Sequence, residues 1–157
     1  MIYEKLWEFS NAQALVSATT AISTNIVDLT TSKWDEWKNM AVPLWLVVTC
    51  NVVPTGTSVT VSVMQHSTTT ITSGDTLLTG RTLAVADMSA SVDDPGHYLL
   101  VVPIMSCICS LQAADVDEYF GLVYTCAGNC TDGYVDAYIL ATAHPPIPTT
   151  QVVTSNI

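Results

Sequence analysis

The sequence predicts an all-β protein, a jelly-roll-like antiparallel sandwich of about eight strands. Short apolar runs recur about every ten residues and are separated by turn residues. Thr is abundant, and Val, Ile and Tyr are frequent, a composition that suits pleated, half-buried strands. No run alternates with a long helical pattern, which argues against a parallel α/β sheet. An antiparallel sandwich is therefore the favoured fold class.

The chain divides into three zones. Residues 1–20 form an N-terminal arm with most of the helix-compatible sequence, residues 21–142 form the sandwich domain, and residues 143–157 form a Pro/Thr-rich tail. The tail is not expected to be a central strand, because Pro lacks the N–H that a ladder needs. Within the sandwich domain, extended segments are predicted at Ile22–Leu29, Leu44–Val53, Ser58–His66, Thr76–Val85, His97–Ile104, Glu118–Ala127 and Tyr134–Thr142.

The charge and the apolar content of the chain indicate which kinds of partner it can bind. Charged residues make up 11% of the chain, against about 25% in an average protein, so part of the surface is expected to be covered by other subunits. The formal charge of −10 argues against nucleic acid and anionic membranes as partners. The best apolar run, Val42–Val48, is far shorter than the ~20 residues of a membrane span. The start of the sequence lacks the pattern of a secretion signal, so assembly in the cytoplasm is expected.

Candidate reactive residues do not form a recognisable constellation. Cys107 and Cys109 are one residue apart in an apolar run, and Cys126 and Cys130 flank a predicted hairpin turn. Buried thiols are the favoured interpretation, with a cross-hairpin disulfide and a metal site as alternatives. The sequence has no Gly-x-Ser-x-Gly or His-Glu-x-x-His motif. We therefore predict a non-enzymatic protein with no catalytic, metal or cofactor site.

Aromatic residues outside the predicted strands suggest contact surfaces. The N-terminal arm and a short loop supply the candidates for an interface with another subunit or a partner protein: Tyr3, Leu6, Trp7, Phe9, Trp34 and Trp37. A terminal arm this short cannot build a core of its own, so its order must come from docking. The alternative is that the arm docks onto its own sandwich and that the two loop tryptophans cap one end of it.

Several short segments resemble a known family. They are Glu8–Leu15, Ala21–Leu29, Leu122–Tyr124 and Gly133–Leu140. Together they resemble the capsid cement (decoration) protein family first described in a Bordetella phage. The likeness spans roughly residues 8–142, whereas the five cysteines, the loop with two tryptophans and the Pro-rich tail depart from the family pattern.

The resemblance implies a structural role in a virion. A member of that family is expected to be a jelly-roll subunit that forms homotrimers and binds the major capsid protein on the outer surface of a tailed-phage capsid. There it would staple neighbouring capsid subunits together, without a cofactor. The alternative function is a carbohydrate-binding jelly-roll adhesin used in host adsorption, which would need aromatics and carboxylates that converge in a groove.

Overall fold

The computed structural model describes residues 8–15, 20–28, 39, 41–104, 119–128 and 130–146. These residues are mostly extended, and the helical elements among them that the structure defines are two short 3₁₀ turns, Val85–Asp87 and Pro95–His97. The strands are β1 (Glu8–Ala14), β2 (Thr20–Ile22), β3 (Val27–Asp28), β4 (Leu44–Val52), β5 (Ser58–His66), β6 (Thr76–Ala84), β7 (Tyr98–Pro103), β8 (Tyr119–Ala127) and β9 (Tyr134–Ala141). The predicted all-β class is confirmed.

The strands form two antiparallel sheets with nested pairing. The first sheet, called sheet A, has the order β1-β9-β4-β7, and the second, sheet B, has the order β2-β8-β5-β6, with β3 also paired to β8. Pairing therefore runs from the outside of the chain inward: β1 with β9, β2 with β8, β4 with β7 and β5 with β6. This nested order across two sheets is the jelly-roll topology that the sequence predicted.

The core lies between the two sheets. On β5, Val59, Val61 and Val63 are almost completely buried, while Thr60 and Ser62 face outward and are half-buried. This is the alternation that the sequence predicted for this strand. Each such aliphatic side chain contributes roughly 1.5–3 kcal/mol on burial, so the alternating faces of the strands are the main source of stability.

The sandwich begins earlier in the chain than residue 21. Strand β1 pairs with β9, so Glu8–Ala14 is part of sheet A rather than of a separate arm. Phe9 is fully buried, and its ring packs edge-to-face on Phe120 of sheet B, with 5.6 Å between ring centroids. Burial of this ring against the opposite sheet outweighs the helix-compatible composition of the segment, because tertiary packing overrides local propensity. Residues 1–7 lie outside the described part of the chain.

The predicted extended run Ile22–Leu29 is interrupted. Strand β2 ends at Ile22, and the two-residue β3 begins at Val27. Between them the Ser23 hydroxyl donates to the carbonyl oxygen of Asn25 and accepts from the N–H of Leu122. A serine side chain that bonds to nearby backbone competes with the ladder, which explains the break.

Two turns at one end of the sandwich are bonded to each other. The N–H of Thr57 donates to the carbonyl of Ala127 at 2.8 Å, and the N–H of Thr55 donates to the carbonyl of Thr131 at 3.0 Å. Gly128 has φ +77°, and a Cβ there would lie 2.6 Å from the Thr57 hydroxyl oxygen. The turn after β8 thus needs glycine for both its backbone conformation and its close approach to Thr57.

The end of β9 leads into the start of the predicted tail. The N–H of Thr142 donates to the carbonyl of Pro43 at 3.1 Å, and the Trp45 indole donates to the Thr142 carbonyl at 3.1 Å. Of the tail, residues 143–146 are described and the remainder lies outside the described residues. In the described parts of the chain, no helix is long and apolar enough to cross a membrane.

Candidate functional site

A cleft of about 380 Å³, with a mixed polar and apolar lining, lies on the outer face of sheet A. Its lining residues carry carboxylate, amide, hydroxyl and imidazole groups beside apolar side chains. They are Glu8, Ser10, Asn11, Thr49, Asn51, Val92, His97, Asp136, Tyr138 and Ile139. The cleft is at the small end of the range of ligand pockets, which is about 300–1,000 Å³.

The alternation of β4 and β9 places polar side chains on the floor. Val135, Ala137 and Ile139 of β9 are buried in the core, which turns Asp136 and Tyr138 to the opposite, outer face. Thr49 of β4 is the register partner of Asp136. Adjacent strands therefore bring a hydroxyl, a carboxylate and a phenol to one side of sheet A.

Irregularities in the strands concentrate at the cleft. The pairing of β1 with β9 shifts register between Glu8 and Ser10 and again between Ser10 and Gln13, and the pairing of β4 with β9 shifts between Cys50 and Val52, next to Asn51. Such bulges re-aim side chains and are over-represented beside binding and active sites. They bring Asn51 and the polar residues of β1 into one cleft.

Asp136 is held in place from β1. Ala12 has φ +45°, a left-handed conformation that is uncommon for a residue other than glycine, and its N–H donates to the Asp136 carboxylate. Also on β1, the Asn11 amide donates to the Glu8 carboxylate at 3.2 Å. A strained backbone residue that positions a carboxylate is the kind of feature found at functional sites.

His97 forms part of the wall. It ends the 3₁₀ turn Pro95–His97, whose start is capped by the Asp94 carboxylate accepting from the N–H of Gly96 at 2.8 Å. The His97 side chain is 6% exposed, and its ring packs edge-to-face on Tyr98 with 5.1 Å between centroids. Its Nδ1 is buried without a hydrogen-bond partner among the described residues. Such an unsatisfied polar atom is costly and calls for a partner.

The sequence-predicted interface residues are mostly outside the described part of the chain. Tyr3, Leu6, Trp7, Trp34 and Trp37 lie there, and their interface role stays a prediction. Phe9 is described, and it lies in the core of its own sandwich rather than on an exposed surface. For Phe9 the structure favours the alternative in which the residue docks within its own subunit.

Three of the five cysteines are described, and all three are buried free thiols. Burial raises the pKa of the Cys50 thiol to about 11 and, together with a hydrogen bond to Cys130, raises that of Cys126 to about 12. Both thiols are thus held in the protonated form, which is a poor metal ligand and a poor nucleophile. The favoured interpretation as buried thiols is confirmed for these three. Cys107 and Cys109 lie outside the described residues.

No cluster of three or more His, Cys, Asp or Glu side chains with metal-binding geometry occurs in the described ranges. His66 is near a carboxylate, with 3.6 Å between its Nε2 and Asp75 Oδ1. Its Nδ1, however, accepts from the N–H of Thr68 at 3.0 Å and lies 2.9 Å from the Thr68 hydroxyl. These contacts stabilise the turn that follows β5 and account for the position of the histidine.

The sequence alone does not predict the cleft, because its lining residues come from four segments that are far apart in the chain. Glu8–Asn11, Thr49–Asn51, Val92–His97 and Asp136–Ile139 share no local motif. The available signal was the polar half of the alternation in β9, where Asp136 and Tyr138 separate buried apolar residues. That pattern indicates an exposed face but does not identify which residues of other strands lie beside it.

The fold and the cleft together define the protein as a jelly roll with a cleft of mixed polar and apolar lining on the outer face of one sheet. A comparison with protein families then specifies it, since the Bbp16 family model matches residues 9–139, most of the chain. The chain belongs to the Bbp16 family, and this match is consistent with a Bordetella phage protein family. The predicted resemblance to a Bordetella phage family is thereby confirmed. No curated protein is similar enough to the chain to count as a match.

Proposed function

We propose that this protein is a capsid cement protein. In this role it forms a homotrimer, binds the outer surface of a tailed-phage capsid and staples neighbouring major capsid subunits together. The observation that carries the proposal is the match of a phage protein family to residues 9–139, which spans nearly the whole jelly roll. A compact sandwich offers a rigid body with which to bridge several partners.

The surface properties support an assembly role. Charged residues are scarce in the chain, and several large apolar side chains stay more than a third exposed among the described residues: Ile22, Val42, Val52, Leu77, Val92 and Tyr134. Contact with partner subunits would cover part of this apolar surface. The excess of acidic residues would keep the free protein away from the packaged genome, because like charges repel.

In this role the protein needs neither a catalytic step nor a cofactor. A shell that holds packaged DNA gains stability from added buried area alone, and no chemical step is needed. A trimer that binds at several points converts modest single contacts into stable attachment, because later contacts form intramolecularly. We expect the self-contacts and the contacts with the major capsid protein to be the functional interactions.

Two measurements test the proposal. Light scattering of the isolated protein at micromolar concentration should give three times the chain mass of 16.8 kDa. Purified phage heads that lack the protein should bind it from solution and should resist heat or mechanical stress better afterwards. A monomeric mass combined with failure to bind the heads would disprove the proposal.

A further inference from the structure

We infer that the cleft on the outer face of sheet A binds a neutral saccharide. This is a ligand-binding activity separate from the proposed attachment to the capsid, and either can hold without the other. The cleft contains both kinds of hydrogen-bonding group in a small volume: carboxylates of Glu8 and Asp136, and amides of Asn11 and Asn51. A sugar ring presents several hydroxyls, each of which donates and accepts, and so matches a mixed lining of this kind.

The charge of the lining selects against other ligands. The cleft has two carboxylates and no Lys or Arg, so a phosphate, a sulfate or an acidic sugar would meet repulsion rather than an ion pair. A guanidinium or ammonium group would satisfy the carboxylates, but these cations only donate hydrogen bonds and could not accept one from the side-chain N–H groups of Asn51. A neutral polyhydroxylated ligand satisfies both.

Particular groups are positioned to recognise hydroxyls. Asp136 accepts one hydrogen bond from Ala12 through Oδ1, which fixes the carboxylate and leaves its other oxygen able to accept from a ligand. His97, which is 6% exposed, forms part of the wall that such a ligand would contact. Tyr138 and the side chain of Val92, which is 62% exposed, provide apolar surface for the C–H groups of a sugar ring.

The experiment is a binding titration followed by saturation-transfer NMR on the full chain. The probes are glucose, galactose, mannose and N-acetylglucosamine, with N-acetylarginine amide as the cationic comparison. We expect at least one sugar to bind. The Asp136→Asn variant keeps an oxygen that can accept from Ala12, removes the charge, and should weaken binding about tenfold, the usual worth of a hydrogen bond to a charged group. Asn51→Ala should weaken binding by a similar factor.

Asp132→Asn is the matched control. Asp132 carries the same charge and lies outside the cleft lining, and its φ of +61° is a conformation that Asn tolerates. This variant should leave the sugar affinity within about twofold of the original. Sugar binding that neither cleft variant weakens would overturn the inference, and so would binding of N-acetylarginine amide in place of any sugar. Absence of binding by every probe to the correctly folded protein would overturn it too.

Discussion

The side chains of Ser10 and Tyr124 meet in the core with 2.9 Å between their hydroxyl oxygens, and so join β1 of sheet A to β8 of sheet B. The Ser10 hydroxyl also lies 2.6 Å from the Gln13 side-chain oxygen, to which it donates. The Tyr124 hydroxyl is therefore the donor in the contact with Ser10. Both residues are almost completely buried, so this polar bridge between the sheets is shielded from water.

This geometry predicts unequal effects from removing the two hydroxyls. Ser10→Ala leaves the buried Tyr124 hydroxyl without its acceptor and should lower the free energy of unfolding by about 1–3 kcal/mol. Tyr124→Phe removes a donor whose acceptor keeps its bond to Gln13, and should cost only about 0.5–1.5 kcal/mol. Urea denaturation of both variants measures the difference. A larger loss for Tyr124→Phe than for Ser10→Ala would contradict the assigned direction of the bond.

Phe9 is predicted to matter for the stability of the fold, and Trp7 for the contact with other subunits. Phe9→Ala removes a fully buried ring that packs on Phe120, and should lower the free energy of unfolding by about 3–5 kcal/mol. Trp7→Ala tests the proposed interface, and should weaken the trimer or reduce occupancy on phage heads while the sandwich melts as before. Denaturation, light scattering and head binding separate the two effects. If Trp7→Ala destabilised the sandwich as strongly as Phe9→Ala, Trp7 would belong to the core.

A pair of glycines offers a steric test of the loop that carries His97. A Cβ on Gly96 would lie 2.2 Å from the backbone oxygen of Asp87, whereas the nearest atom to a Cβ on Gly74 is the Thr72 hydroxyl oxygen at 3.7 Å. Gly96→Ala should therefore force the backbone apart and cost more than about 2 kcal/mol, while Gly74→Ala should change stability by less than about 1 kcal/mol. Thermal melting compares them. Equal melting temperatures would show that the backbone around Gly96 yields.

The protein should lose stability at alkaline pH. The thiols of Cys50 and Cys126 have pKa values raised from 9.0 to about 11 and about 12, mainly by burial, and burial also raises the pKa of Tyr124 above its usual value. The unfolded chain loses these protons at lower pH than the folded chain does. Their contribution is therefore complete below pH 9.0 and falls as the pH rises toward the folded values.

A double variant tests this assignment. Replacing Cys126 and Cys130 by Ser should reduce stability at neutral pH by about 1–3 kcal/mol and flatten the alkaline decline, because Ser does not titrate in this range. Urea denaturation at a series of pH values, with a reducing agent present, gives the slope. An unchanged slope in the variant would show that Cys126 does not drive the decline. Zinc that copurified in stoichiometric amount with the original protein would instead restore the metal alternative.

The sequence predicted the fold where a strand has two contrasting faces. On β5, Val59, Val61 and Val63 alternate with polar residues, and the observed strand coincides with the segment that this pattern predicted. Strand β1 escaped prediction because Asn11-Ala12-Gln13-Ala14 has no such alternation, and its two register shifts break the period that a pattern search depends on. Its strand conformation comes from pairing with β9, a contact that no local signal encodes.

The cleft could not be predicted from the sequence, because its lining also depends on contacts between distant strands. Its members are neighbours only because β9 lies between β1 and β4 in sheet A, so the order of strands had to be known first. Glu8, Asp136 and Tyr138 line one cleft, yet no pattern in the sequence marks any of them as a candidate site residue. The predicted interface residues differ from the cleft residues in this respect. Their aromatic character identified them in the sequence, but only Phe9 lies among the described residues.

The nested strand pairing has a consequence for synthesis on the ribosome. Ala12 and Asp136, which bond across β1 and β9, are 124 positions apart. Strand β1 leaves the ribosome early, but its neighbour in sheet A is made only after most of the chain has followed. Pairings this distant in sequence close slowly, because the intervening chain loses entropy before the contact forms. A nascent chain that stops short of β9 therefore leaves β1 without a partner and one edge of β4 unpaired, which makes incomplete chains prone to aggregation.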